Sequence, residues 1–236
     1  MKAKILVFLL AFLLLAALGF PAEDVKTLNL PAQGIRELRI DCGAGSLSVV
    51  GSESLSAIEV TAKILTRGVD DDEKAAFYED HVRLTLEKKG DTAVLVSLIE
   101  ERGFFSWTDD ARIDLTVRMP RNMDLDIDDG SGSMDIENIE GRVAIEDGSG
   151  DISVNGIIGA LGVDDGSGGI EIIDVSGDVS VEDGSGSMEI RKIGGSVSVD
   201  DGSGSITVED VEKDVVFGHT GSGGVSVHNA RGRVKR

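Results

Sequence analysis

The chain has 236 residues, with 43 acidic against 23 basic side chains and a formal charge of -20 at neutral pH. So acidic a surface disfavours nucleic acid and anionic lipid as partners. The one cysteine, Cys42, excludes an intramolecular disulfide, and His81, His219 and His228 show no metal-ligand spacing.

The chain opens Met1-Lys2-Ala3-Lys4, followed by an apolar run from Ile5 to Leu18. Two lysines, a short hydrophobic stretch and small residues near Ala17 and Gly19 predict a signal peptide over residues 1–22, cleaved after Gly19 or Ala22. The run is short for a membrane span, which needs about 20 apolar residues. No cysteine follows closely, so lipoprotein attachment is not expected. The mature chain is expected to be exported, to the periplasm, the cell envelope or the extracellular space. Membrane contact would come only through an uncleaved signal.

Residues 23–122 read as an N-terminal β-rich capping region. Leu38 to Val49 aligns with Leu125 to Ile136 and looks like an early copy of the repeat described below, with Cys42 as a buried thiol where a strand meets a corner. Ile58 to Leu65 alternates as a strand, and Asp70 to about His81 suits a short helix with acids in its first turn. Val82–Glu87 and Ala93–Ile99, joined through Lys89-Gly90-Asp91, read as a hairpin. Ile113, Leu115 and Val117 mark another strand, closed by Met119-Pro120. Between them lie Phe104, Phe105 and Trp107, in a loop-like setting. Exposed, they are a candidate contact for carbohydrate, lipid or protein; folded back, they fill the core of the cap.

Residues 123–236 repeat every 18 residues, the signature of a solenoid. Asp-Gly-Ser-Gly begins at Asp129, Asp147, Asp165, Asp183 and Asp201 without drift. Each unit holds two aliphatic-x-aliphatic runs, such as Ile152/Val154 and Leu161/Val163, and period-two alternation reads as a strand with one buried face. One corner carries Ile139, Ile157, Val175, Ile193 and Val211 at equivalent positions, so it tucks an aliphatic side chain inward. The other is the Asp-Gly-Ser-Gly corner, where stacking sets each Asp about 4.8 Å from the next. Two readings of that ladder stand. It is a column of Asx turns, each carboxylate accepting N–H groups of the following Ser or Gly. Or it is a weak cation site, because like charges so spaced repel by roughly 0.8 kcal/mol even in water and oxygen-rich corners suit calcium. A second acidic column, Asp128, Glu146, Asp164, Glu182 and Asp200, runs beside it.

The β-roll calcium pattern is not met. Its ligating Asp position is held here by Ser133, Asp151, Gly169, Ser187 and Ser205. The hexapeptide helix fails too, since steps of six from Met134 reach Glu140 and Glu146. The repeats are acidic, with 22 Asp and Glu over residues 123–210 against Arg142, Arg191 and Lys192. The chain ends on Arg231, Arg233, Lys235 and Arg236, charges that would blunt an open edge.

Repeated aliphatic-x-Asp/Glu-Asp-Gly-Ser-Gly-Asp/Ser-Ile-x-Val, after Val117-Arg118-Met119-Pro120 and an exported N-terminus, resembles the bacterial putative adhesin domain family. The resemblance covers about residues 25–230. It implies an exported or envelope-anchored β-solenoid, right-handed, with no catalytic residues to carry over. The family often has Thr where this chain keeps Asp, so the acidic ladder is a departure.

Enzymatic readings find little support in the residues. No nucleophile elbow stands between a strand and a helix, and no phosphate loop occurs. A polysaccharide-active β-helix enzyme is the remote alternative. The expected object is an all-β, single-stranded parallel β-solenoid with 18-residue, two-strand coils and a capping region containing one short helix. Its expected role is a non-enzymatic adhesin-like module binding a protein or glycan at the cell envelope, without a small-molecule cofactor. The alternative is a calcium-binding structural domain.

Overall fold

The computed structural model of the chain describes residues 24–66, 72–100 and 111–236. The expected signal peptide and the Phe104, Phe105 and Trp107 loop lie outside the described residues. The N-terminal strands are β1 (Asp24–Pro31), β2 (Glu37–Ala44), β3 (Leu47–Ser52) and β4 (Ala57–Leu65). Helix α1 (Lys74–His81), β5 (Val82–Lys89), β6 (Thr92–Ile99) and β7 (Arg112–Pro120) follow. The repeats then supply β8 (Asp124–Ser131), β9 (Met134–Ile139), β10 (Val143–Asp147), β11 (Ile152–Ile157), β12 (Leu161–Asp165), β13 (Ile170–Val175) and β14 (Val179–Asp183). The last are β15 (Met188–Ile193), β16 (Val197–Ser203), β17 (Ile206–Val211), β18 (Val215–Ser222), β19 (Val225–Ala230) and β20 (Val234–Lys235).

The protein is all-β apart from α1. Its strands form two ten-stranded, mostly parallel sheets, ordered β1-β4-β7-β3-β9-β11-β13-β15-β17-β19 and β20-β18-β16-β14-β12-β10-β8-β2-β6-β5. From β7 onward successive strands go to alternate sheets, and the register advances by the sequence period: Val143 pairs Leu161, Leu161 pairs Val179, Val179 pairs Val197. Each step therefore sets like residues one above the other. Leu161, Val163, Ile170, Ile172 and Val175 of one step are all buried, and each contributes about 1.5–3 kcal/mol by leaving water. The aliphatic corner column of Ile139, Ile157, Val175, Ile193 and Val211 is at most 1% exposed. The residue before each takes a left-handed backbone, with φ of 60° at Asn138, 75° at Gly156, 59° at Asp174, 59° at Lys192 and 57° at Asp210. That turn directs the following aliphatic inward.

The N-terminal residues extend the same two sheets. β2 pairs β8 with Leu38 opposite Leu125 and Cys42 opposite Asp129, while β3 sets Leu47 opposite Met134. Beyond them, β6 pairs β2 and β7 pairs β3, both parallel. The β6–β7 pair thus lies outside β2–β3 in space although it follows them in sequence. Antiparallel strands finish this end: β4 on β7, β1 on β4, and β5 on β6. Helix α1 is shorter than expected, starting at Lys74 with Asp72 and Glu73 ahead of it and no acid in its first turn; Asp70 and Asp71 lie outside the described residues.

At the other end, the register slips between Val199 and Asp201, and Asp201 pairs Thr220, a step of 19. His219 is part of this bulge, and its N–H donates to Asp200 Oδ1 at 2.8 Å. The terminal basic residues reach back to the preceding strands and their turns. Arg231 pairs Glu212 at 2.6 Å and Arg233 pairs Asp214 at 2.8 Å, while the Arg236 guanidinium sits 5.9 Å from the Phe217 ring centre.

Candidate functional site

Two surfaces of the β8–β18 sheet carry its unusual chemistry, and they lie on opposite sides of the same strands. On the inner side, period-two alternation continues one residue past the aliphatics. In β10 the inward residues are Val143, Ile145 and then Asp147; in β12 they are Leu161, Val163 and Asp165. The five aspartates of the repeated corner therefore belong to strands, and they point inward. Asp129, Asp147, Asp165, Asp183 and Asp201 are 2–6% exposed and stand in direct register.

One oxygen of each carboxyl has a backbone partner. Asp147 Oδ1 accepts the Ser149 N–H at 3.2 Å, Asp165 the Ser167 N–H at 3.1 Å, Asp183 the Ser185 N–H at 2.9 Å and Asp201 the Ser203 N–H at 3.0 Å. Asp129 is hydrogen-bonded to the Cys42 thiol and to the backbone at Gly130 and Ser131. The Oδ2 atom of all five is enclosed and meets no donor. Burial pushes Asp129, Asp147 and Asp165 above the usual carboxylate range, and pushes Asp183 up to about 6, with neighbouring acids adding to the rise.

The column continues beyond the acids. Cys42 occupies the same inward position in β2, and Ser97, paired with Cys42, does so in β6. Ser97 is 3% exposed and its Oγ has no partner. Burial and Asp129 hold the Cys42 thiol far above its ordinary range, which disfavours a thiolate nucleophile. Half-buried Thr220 stands opposite Asp201 and closes the other end.

The corner beyond each Asp is fitted to close stacking. A Cβ on Gly168 would lie 1.7 Å from the Gly150 carbonyl oxygen, on a backbone with φ of 154°. Only glycine allows this approach.

On the outer side, the second acidic column of Asp128, Glu146, Asp164, Glu182 and Asp200 is exposed and in register. Beside it runs a groove of about 480 Å³, floored by Ala144, Gly162, Ser180 and Ser198 and bounded by Arg142 and Asp178. The floor exists because each outward mid-strand residue from β10 to β16 is small. Among the described residues, no three His, Cys, Asp or Glu side chains converge as a metal site. His81 stacks on Phe77 at 5.0 Å, far in sequence from His228, whose Nε2 bonds Ser226 Oγ at 2.8 Å. No described helix is long and apolar enough to cross a membrane.

Sequence reasoning placed the Asp residues at a corner and missed their inward direction. The signal was present, because counting in twos from Val143 passes through Ile145 to Asp147. The groove was missed as well; it is visible only when residues 18 apart are compared on the outward face.

No protein-family model matches the chain, and no curated protein matches it in sequence. Some solved structures align along most of the chain at low identity and low overlap. One from Bacteroides fragilis, named a putative adhesin, is 14% identical and aligns over 91% of this chain and 98% of its own, with a TM-score of 0.47. A putative lipid binding protein from Parabacteroides distasonis is 14% identical over 89% of this chain and 96% of its own, with a TM-score of 0.45. A putative adhesin from the same organism is 13% identical, over 90% and 97%, with a TM-score of 0.36. At such overlap these names say nothing of what this chain binds.

Proposed function

We propose that this chain is an exported, non-enzymatic adhesin-like module of the cell envelope or surface. In this reading residues 1–22 are a cleaved signal, 23–122 a cap, and 123–236 a right-handed parallel β-solenoid that serves as a rigid rod. The observation that carries the reading is the outer face of the β8–β18 sheet. A groove floored by Ala144, Gly162, Ser180 and Ser198 runs across these strands, and two residues further along each strand the same outward face carries the exposed acidic column of Glu146, Asp164, Glu182 and Asp200. Small side chains admit close approach of an extended polymer. The acids favour a partner with amino or guanidinium groups, either a basic protein segment or an amino-sugar glycan.

The groove's lining offers no assembled acid, base and nucleophile, and the acidic column that forms a rim alongside it repels a uronate substrate. The test is calorimetric titration of the full chain with an amino-sugar oligosaccharide, an oligo-arginine peptide and a polyuronate. The cationic ligands should bind at low salt, weaken as salt screens the rim, and lose at least tenfold in affinity in Gly162→Tyr. Gly162 faces open space, so the tyrosine fills the groove without touching the core. Binding that ignores both salt and Gly162→Tyr, or turnover of the polyuronate, would overturn the proposal.

A further inference from the structure

We propose that the inward aspartates from Asp129 to Asp183 form a proton-loaded element that makes the stack tightest in mildly acidic surroundings and looser toward alkaline pH. The inference is independent of what the outer groove binds. Five carboxyl groups stand in register about 4.8 Å apart, each at most 6% exposed. An ionised carboxylate in such a place needs donors for both oxygens and a counter-charge. Here Oδ1 has a backbone N–H or the Cys42 thiol nearby, and Oδ2 has nothing. Ser97 Oγ, enclosed and equally unpartnered, is aligned with the end of the same column.

The groups facing the column make ionisation harder. The charges acting on it are other carboxylates: Asp128 on Asp129, Asp164 and Asp151 on Asp165, and the column members on one another. At the ends stand a neutral thiol, Cys42, and two hydroxyls, Ser97 and Thr220. The first inward side chains of the following strands, Met134, Ile152, Ile170, Met188 and Ile206, are apolar. A proton on Oδ2 removes the buried charge, whereas a cation would need converging ligands, and no such group occurs among the described residues.

The sign follows from linkage. Unfolded Asp titrates near 3.9, and Asp183 in the fold near about 6. Between those values the folded chain holds more protons than the unfolded one, so stability falls as pH rises. This contribution is fully present below about pH 3.9 and lost as pH passes through about 6. For Asp183 alone the folding equilibrium constant drops about a hundredfold across that window. Asp91 and Asp214 act in the opposite sense: their hydrogen bonds with Arg36 and Arg233 hold them low, and they lose their contribution only in stronger acid.

The experiment is urea unfolding of the full chain from pH 4.5 to 8 at fixed ionic strength, with EDTA and separately with calcium or magnesium, for wild type and Asp165→Asn/Asp183→Asn. The wild-type midpoint should be highest at the acidic end of this range, fall as pH rises through about 6 and level off above it. The double variant should be the more stable protein at pH 8 and show a flatter profile. Because the variant may fail to fold, carbon-13 NMR of the wild-type Asp carboxyls gives an independent reading, and at least one buried carboxyl should titrate above pH 5. A flat or rising wild-type profile, with every carboxyl titrating below pH 4.5, overturns the proposal. So does a calcium-specific gain at pH 8 absent with magnesium, which would make the column a cation site.

Discussion

Each 18-residue step turns twice, and the two corners bury opposite kinds of side chain. At one, Ile157 and its equivalents follow a left-handed residue and enter the core at no more than 1% exposure. At the other, Asp165 and its equivalents enter the same core at 2–6% exposure with one oxygen unpartnered. The first corner contributes stability through apolar burial. The second gives up some of it, and in return its carboxyl holds the N–H two residues on and shapes a turn so tight that only glycine fits above it. Repetition makes either solution cumulative, since a favourable or unfavourable side chain recurs at every step.

The tight corner should be the less forgiving of the two. Gly168→Ala sets a methyl group 1.7 Å from the Gly150 carbonyl oxygen, and backbone cannot step aside without separating two stacked corners. We expect a loss above about 4 kcal/mol, or no soluble protein, read from thermal or urea unfolding. Ile157→Ala at the other corner should cost about 2–5 kcal/mol through lost transfer energy and the cavity left behind. Its cost should be equal at pH 5 and pH 8, because no charge is involved. The Asp165→Asn/Asp183→Asn pair should instead change sign or size across that range, which separates the two corners by one measurement.

These contrasts also mark what the sequence makes legible. The 18-residue period, the aliphatic corner column and the β5–β6 hairpin follow from alternation and turn residues, and the structure places Ile157 and the Val82–Lys89 and Thr92–Ile99 strands accordingly. The inward Asp was obscured because a polar letter beside Gly-Ser-Gly reads as the start of a turn, whereas the backbone stays extended through it. Stacked like charges give no inward signal of their own; only the parity of the strand does. The position of β6–β7 outside β2–β3 was hidden for a different reason. Those strands share no period with the repeats, and spatial order departs from chain order where pairing partners are far apart in sequence.

The smallest expected effect lies at the aliphatic corner, in its left-handed column. Asn138, Gly156, Asp174, Asp210 and Asn229 are residue types that tolerate φ near 60°, and Lys192 at 59° is the exception. A left-handed residue with an ordinary Cβ costs roughly 1–2 kcal/mol, less for Asn, whose side chain bonds locally. Lys192 is exposed, so its replacement leaves the core untouched. In the last step Asn229 Nδ2 donates to Asp210 Oδ1 at 3.0 Å, which shows how an Asn at this position can reach its equivalent on the neighbouring strand. Lys192→Asn, flanked by Asp174 and Asp210, can make the same kind of bond. It should raise stability by about 0.5–1 kcal/mol, a shift of a few degrees in Tm. A neutral or lower Tm would mean that the corner's geometry is held by the buried Ile193 alone, and that the residue before it follows rather than directs the turn.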